Sequence, residues 1–361
     1  MEIKEGESLI FLPDISGFTK FVTQTEINHS QHIISELLEI ILNANEIGME
    51  VAEIEGDAVF FYKYNEIPTP AKLFNQVKRM FLDFHSQIKL YEARRICNCG
   101  ACTSAVGLTL KFVIHEGNFR FINVNQNKKP YGADVILAHR LLKNNIDSKE
   151  YALFTNNNIN IKHSDFLPVT QGSENYEGIG QVQFNYIELA PLKKKIVAIP
   201  DRKIGNLEKE PLTLETLVES PVNEVVEMVT NLELRTSWNK EVDKFEYVKN
   251  RVNRQGMKHI CVIGNQKISF ETVTNDFGDN KVIYGEKTNQ FPLVKNFTTY
   301  FIFEKSGNDY TKLTIELHMT PLPVIGWMLV PLFKKKMKVE MEKTLRAIKS
   351  ICENESFSLV K

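Results

Sequence analysis

Leu9-Ile-Phe-Leu-Pro-Asp-Ile-Ser-Gly-Phe-Thr19 and Glu53-Ile-Glu-Gly-Asp-Ala-Val-Phe-Phe61 decide how this chain is read. Each is a short apolar run of the kind that forms a buried strand, and each delivers one carboxylate, Asp14 or Asp57, to a glycine-containing turn. If the two strands are neighbours, the acids converge into a hard-oxygen pocket suited to Mg²⁺ or Mn²⁺ held against a phosphate chain. The backbone N–H groups of the Ile15-Ser-Gly-Phe-Thr19 turn then lie where they can meet phosphate oxygens at the start of the next helix.

Working outward, apolar residues at 33, 34, 37, 38, 41 and 44 predict an amphipathic helix over 29–45. A hairpin over 48–64 follows, with Glu55, Gly56 and Asp57 in its turn. Thr69-Pro70 opens a helix over 71–94 whose stripe of Phe74, Val77, Phe81, Phe84, Ile88 and Tyr91 reads as core rather than a cofactor box. Strands over 106–114 and 118–124, joined at Glu116-Gly117, precede a polar loop at 125–130 and a helix over 133–143 that carries Arg140. This succession reads as α+β, with helices packed on an antiparallel-rich sheet.

Asp14-Ile-Ser-Gly-Phe-Thr19 and Glu55-Gly-Asp-Ala-Val59 resemble the two metal-binding signatures of class III nucleotidyl cyclases. Lys111-Phe-Val-Ile-His-Glu-Gly117 is similar to the strand and turn that follow in that family. Tyr131-Gly-Ala-Asp-Val-Ile-Leu-Ala-His-Arg-Leu141 is similar to its arginine-bearing helix. The four blocks stand in the family's order, cover residues 6–200, and come closest to an uncharacterised bacterial branch.

The resemblance implies a ferredoxin-like cyclase sandwich that converts a nucleoside triphosphate into a 3′,5′-cyclic nucleotide and pyrophosphate. Two ions, Mg²⁺ or Mn²⁺, would be held by Asp14, Asp57 and the main-chain carbonyl of Ile15, with Ser16, Gly17, Phe18 and Thr19 around the phosphates. Arg140 would stabilise the transition state across a homodimer, because the family draws its acids and its arginine from different subunits. Glu53 occupies the base-selecting position and leans towards GTP, and Lys129 falls near its partner position. Two positions depart from the pattern. Ile136 stands where the family places a ribose-positioning asparagine, and Gln181-Val-Gln-Phe-Asn-Tyr186 contains no phosphate-clamping lysine. The readings are therefore an active cyclase, a degenerate nucleotide sensor, or a lipid-binding protein that uses this half as a dimerisation scaffold. Turn-stabilising acids are the alternative for Asp14 and Asp57.

Pro200-Asp-Arg-Lys-Ile-Gly-Asn-Leu-Glu-Lys-Glu-Pro211 is polar, bounded by prolines and aperiodic, so 1–200 and 213–361 are read as domains with a linker at 201–212. Ser220-Pro-Val-Asn-Glu224 suggests an N-cap, a proline at the first helical position and an acidic first turn. Strands are expected at 244–250, 258–263, 266–272, 281–287, 294–304 and 309–319. A long helix then places Met337, Met341, Leu345, Ile348 and Cys352 on one face. A short helix, antiparallel strands and a long last helix resemble the START-like (SRPBCC) helix-grip superfamily. That implies a curved antiparallel sheet gripping the helix around a cavity for a lipid or other apolar small molecule. The apolar stretch 321–333 is too short to span a bilayer and is read as a helix start packed over that cavity. Contact of Lys334-Lys-Lys-Met-Lys338 with an anionic membrane surface is the less favoured reading.

A chain of 361 residues with 43% hydrophobic residues can bury two cores, and a net charge of −1 excludes the strongly basic composition of a nucleic-acid binder. The N-terminus shows no secretory pattern, so a cytoplasmic location is expected. Five cysteines argue against a disulfide framework. Cys97, Cys99 and Cys102 are read either as a thiophilic-metal cluster or as thiols in a turn. A structural zinc site wants a fourth ligand, which His115 supplies only if the fold brings it back.

Overall fold

The computed structural model describes residues 7–155, 167–200, 207–275, 280–291, 294–322 and 326–354. They fall into two compact units, Met1–Leu90 with Ser104–Ile199, and Tyr91–Thr103 with Pro200–Lys361. In chain order the first half contains β1 (Ser8–Ser16), α1 (Phe18–Gln24), α2 (Ile27–Asn43), β2 (Glu50–Glu55), β3 (Ala58–Lys63), α3 (Pro70–Arg94), α4 (Gly100–Ser104) and β4 (Thr109–Gly117). There follow β5 (Arg120–Val124), β6 (Asn127–Tyr131), α5 (Ala133–Leu141), β7 (Tyr151–Phe154), β8 (Val169–Tyr176) and β9 (Gly180–Glu188). The second half runs β10 (Leu212–Val218), α6 (Val222–Thr230), α7 (Arg235–Trp238), β11 (Lys244–Glu246), β12 (Lys258–Ile263) and β13 (Gln266–Val273). It closes with β14 (Lys281–Thr288), β15 (Val294–Lys305), β16 (Thr311–Pro321) and α8 (Gly326–Cys352).

The first unit is built on a seven-stranded sheet in the order β2-β3-β1-β4-β7-β9-β8, antiparallel except for the β4–β7 pair. β1 is internal and buried on both faces, which is why its sequence is a continuous apolar run instead of an alternating one. Ile10 and Leu12 pack with Phe60, Val113 and Leu141 in one core cluster. The alternate residue Phe11 meets Phe61 and Phe112 edge-on, with centroids 6.4 and 5.8 Å away.

The expected pairing of 106–114 with 118–124 is corrected. β4 pairs with β1 and β7, whereas β5 turns back on β6 in a separate two-stranded ribbon. Asn125 supplies the left-handed conformation for that turn, at φ 55°, so most of the expected loop at 125–130 is strand.

The second unit has a seven-stranded, wholly antiparallel sheet in the order β10-β16-β15-β14-β13-β12-β11. Met341, Leu345, Ile348 and Cys352 of α8 are buried, as their spacing predicts. The start of α6 differs by one position from expectation. Pro221 is the N-cap and the Ser220 hydroxyl donates to the Glu224 carboxylate at 2.7 Å. Tyr91–Thr103 joins this unit because Arg95 bridges Arg254 and the Gln255 N–H donates to the Arg94 carbonyl at 2.9 Å. Of the expected linker, 201–206 lies outside the described residues, and its last residue already begins β10. Among the described residues no helix is long and apolar enough to cross a membrane.

Candidate functional site

The antiparallel β1–β3 pair places Asp14 opposite Ala58, one residue beyond Asp57, and the Ile15 N–H donates to the Asp57 carbonyl at 2.9 Å. The two signature turns touch. Gly17 and Gly56 both hold positive φ, at 92° and 63°, and the Phe18 ring lies over Gly56, within 4 Å of where a Cβ would stand. Ser16 and Phe18 are half-buried, Thr19 is exposed, and Ile15 is fully buried.

Sheet register adds a residue that the sequence reading assigned no role. Lys111 sits directly opposite Asp14 on β4, and residues so paired project to the same face. Its Nζ is 3.3 Å from Asp14 Oδ1 and donates to the Leu142 carbonyl at 2.9 Å. Burial raises the pKa of Asp14; Lys111 opposes the shift and the nearby Asp57 adds to it. Asp57 is raised too, chiefly by burial, against its own backbone hydrogen bond and Lys111. Two half-buried acids thus share the influence of one nearby ammonium. Carboxylate oxygens beside a main-chain turn are the donor set that a hard divalent cation takes, so Asp14 and Asp57 fit the metals expected from the sequence.

A second cluster flanks the first. Glu53, on β2, is ion-paired with Lys129, on β6, so the two expected base-contact residues meet each other directly. The hydrogen bond from Lys129 holds the Glu53 carboxyl below its usual range. Glu55 is raised by burial and by its neighbour Glu53, while His139 Nδ1, 3.5 Å away, opposes that shift. His139 and Glu55 carried no assigned role in the sequence reading, because only the approach of α5 to the β2–β3 turn reveals them.

Arg140 is exposed on α5, and its Nη1 donates to the Glu177 carbonyl at 3.3 Å, in the turn between β8 and β9. Within one chain this bond directs it to that turn and not to either acid. The idea of His115 as a thiol-cluster ligand is corrected. Its Nδ1 lies 2.7 Å from Thr155 Oγ1 and its Nε2 3.2 Å from Asp134 Oδ1, which commits both ring nitrogens inside the first unit.

In the second unit a cavity of about 260 Å³ lies between the sheet and α8, lined by Trp238, Phe270, Phe301, Ile315, Met337 and Met341 among others. Leu345 is buried but does not reach the lining. Phe333, from the expected helix start, packs near Phe291 and Phe297 at 6.0 and 6.3 Å, while 323–325 lie outside the described residues. The sequence reading missed the polar element beside this cavity. Arg235 is ion-paired with Glu286, which also accepts from the Tyr284 hydroxyl at 2.5 Å, and the guanidinium lies 4.3 Å over the Trp238 ring. Burial alone would raise the Glu286 pKa, but Arg235, His259 and the Tyr284 hydrogen bond outweigh it and hold the carboxyl below its usual range.

Residues 34–151 match the model of a family described as a protein of unknown function (DUF2652). The Uncharacterized protein Rv2561/Rv2562 of Mycobacterium tuberculosis (strain ATCC 25618 / H37Rv) is 31% identical over 175 residues, which are 48% of this chain and 81% of that protein. The chain belongs to the family of that mycobacterial protein. Solved structures similar to parts of the chain include cyclase catalytic domains and START-superfamily proteins. The guanylate cyclase domain of RhGC from Catenaria anguillulae, in complex with GTP, is 15% identical, with a TM-score of 0.36 over 51% of this chain and 96% of that one. The guanylyl cyclase Cya2 is 14% identical, with 0.38 over 52% and 94%. A START superfamily protein from Mycobacterium smegmatis is 18% identical, with 0.31 over 40% and 97%. These are likenesses of fold alone.

Proposed function

We propose that the first unit binds a nucleoside triphosphate together with divalent metal at Asp14 and Asp57, in the manner of a class III nucleotidyl cyclase. The observation that carries this reading is the meeting of the two signature turns. Asp14 and Asp57 come together at the end of one antiparallel pair, both with raised pKa, beside the Gly17 turn. Bound Mg²⁺ or Mn²⁺ would supply Lewis acidity at the triphosphate and at the ribose hydroxyl. Asp14, Asp57 and the Ile15 main chain hold the ions, and the Ser16–Thr19 turn receives the phosphates. Lys111 favours the ionised form of Asp14, against its burial, and holds the carboxylate in place. Glu53 and Lys129 present an acceptor and a donor to the base as a matched pair. Arg140 serves the site of a second copy in a homodimer, so the formation of cyclic nucleotide belongs to the dimer. The second unit takes an apolar small molecule or lipid in the cavity against α8.

Calorimetric titration of the full chain with each of the four triphosphates, with and without Mn²⁺, tests the reading. Binding that needs Mn²⁺ and falls at least about tenfold in Asp14→Ala and in Asp57→Ala, a loss of ~1.4 kcal/mol, is the expected result. Equal affinity in the parent and both variants would overturn it.

A further inference from the structure

Cys97, Cys99 and Cys102 lie within six residues of the segment that the second unit draws from the first half of the chain. All three are buried, at 4–5% exposure, and none of the chain's cysteines forms a disulfide. Their three sulfur atoms lie within 4.8 Å of one another. That limit admits the ~3.8 Å sulfur–sulfur separation set by a tetrahedral ion with ~2.3 Å zinc–sulfur bonds.

The main chain around these sulfurs is arranged for acceptors. The Cys99 N–H donates to Cys97 Sγ at 3.3 Å, and the Cys102 N–H donates to Cys99 Sγ at 3.4 Å. A thiol that only fills space has no need of such donors, because a neutral sulfur is a weak acceptor. A thiolate has such a need, and amide N–H groups aimed at ligating sulfurs are the outer contacts that stabilise and orient them. Three adjacent buried thiolates repel one another and are costly to desolvate unless a cation sits among them. The other two cysteines, Cys261 and Cys352, stand apart in sequence from this cluster and from each other.

We propose that Cys97, Cys99 and Cys102 form a zinc site, three thiolates binding one Zn²⁺ whose fourth position is filled by a nitrogen donor or water. Soft sulfur ligands exclude the hard Mg²⁺ or Mn²⁺ proposed for the acidic site, so the two sites take different metals. On binding, each thiol releases its proton to the buffer and each sulfur lone pair forms one bond to the ion, with no redox change. The site's role is that of a staple. Its segment is tied to the second unit by main-chain pairing of Arg94 and Arg95 with Gln255 and Arg254, and the ion fixes the short turn that follows.

The test is metal content of the full chain, purified under reducing conditions without chelator and without an affinity tag that binds metal, measured by mass spectrometry of the elements. The expected result is about one zinc per chain, lost in Cys97→Ser/Cys99→Ser/Cys102→Ser and kept in Cys261→Ser/Cys352→Ser. Should the triple variant fail to fold, the parent itself still decides the matter. Replacement of its metal by Co²⁺ should give the thiolate-to-cobalt charge-transfer band and the intense visible bands of a tetrahedral site. A thiol-specific mercurial should release zinc in step with three thiols. Absence of zinc together with absence of the cobalt–thiolate band, or zinc retained in a folded triple variant, would overturn the proposal.

Discussion

Removing the charge of Glu286 should be among the most damaging single changes in the second unit. Arg235 and Glu286 are 4% exposed each, and Glu286 lies beside the Tyr284 hydroxyl as well. Glu286→Gln keeps the shape but leaves a guanidinium buried without its counter-charge, and breaking such a pair from one side costs roughly 3–5 kcal/mol. For a unit of this size each kcal/mol moves the midpoint by about 2–4 °C, so a fall of about 6–20 °C is expected. The first unit contains neither of the chain's two tryptophans, and Trp238 is buried in the second, so its intrinsic fluorescence follows the unfolding of this unit. Arg235→Met combined with Glu286→Met should recover most of the loss, because a buried pair replaced by apolar groups of similar volume is close to neutral. The pH dependence has a fixed sign. Because the folded pKa of Glu286 lies below its ordinary 4.5, the pair's contribution is complete above that value and is lost as the pH falls further, through the depressed folded value. A Glu286→Gln midpoint within about 2 °C of the parent, or a double variant as unstable as the sum of its parts, would refute the reasoning.

The first unit should lose stability on mild acidification through His85. Burial, with the Lys193 charge second, pushes its pKa down to about 3, so the folded state keeps it neutral while the unfolded chain protonates it near 6.5. Its contribution is present above 6.5 and is lost as the pH falls towards 3. From pH 7 to 5 the loss is about 2 kcal/mol, and His85→Leu should remove that slope in urea titrations at the two pH values. An unchanged slope would contradict the assignment. If cyclic nucleotide forms across a dimer, mixing inactive Asp57→Ala and Arg140→Ala subunits should restore up to about a quarter of parental activity, since one of two sites is intact in the half of dimers that are mixed. No recovery despite demonstrated subunit exchange would rule out a shared site.

Much of the local structure was legible because burial imprints itself on sequence. The apolar run of β1, the stripe of α3 and the alternation from β12 to β16 each report which faces leave water, and the observed elements fall within a few residues of those patterns. β8 was not legible. Its residues are mostly exposed and polar, so no apolar period marks it as a strand, and it is held by its pairing with β9. β6 was read as a loop for the same reason, its definition coming from the ribbon with β5.

By itself the sequence determined that two acids would stand beside glycine turns at strand ends, because Asp14 and Asp57 follow or precede apolar runs and Gly17 and Gly56 must take positive φ. Tertiary structure alone decided that Lys111 faces Asp14 and that Arg235 finds Glu286, and it turned the expected neighbourhood of Glu53 and Lys129 into a direct ion pair. Each of these pairs joins residues far apart in the chain through strand register or through contact between elements. Local periodicity says which side of a strand a residue occupies, whereas which partner it meets depends on where the other strands have been placed.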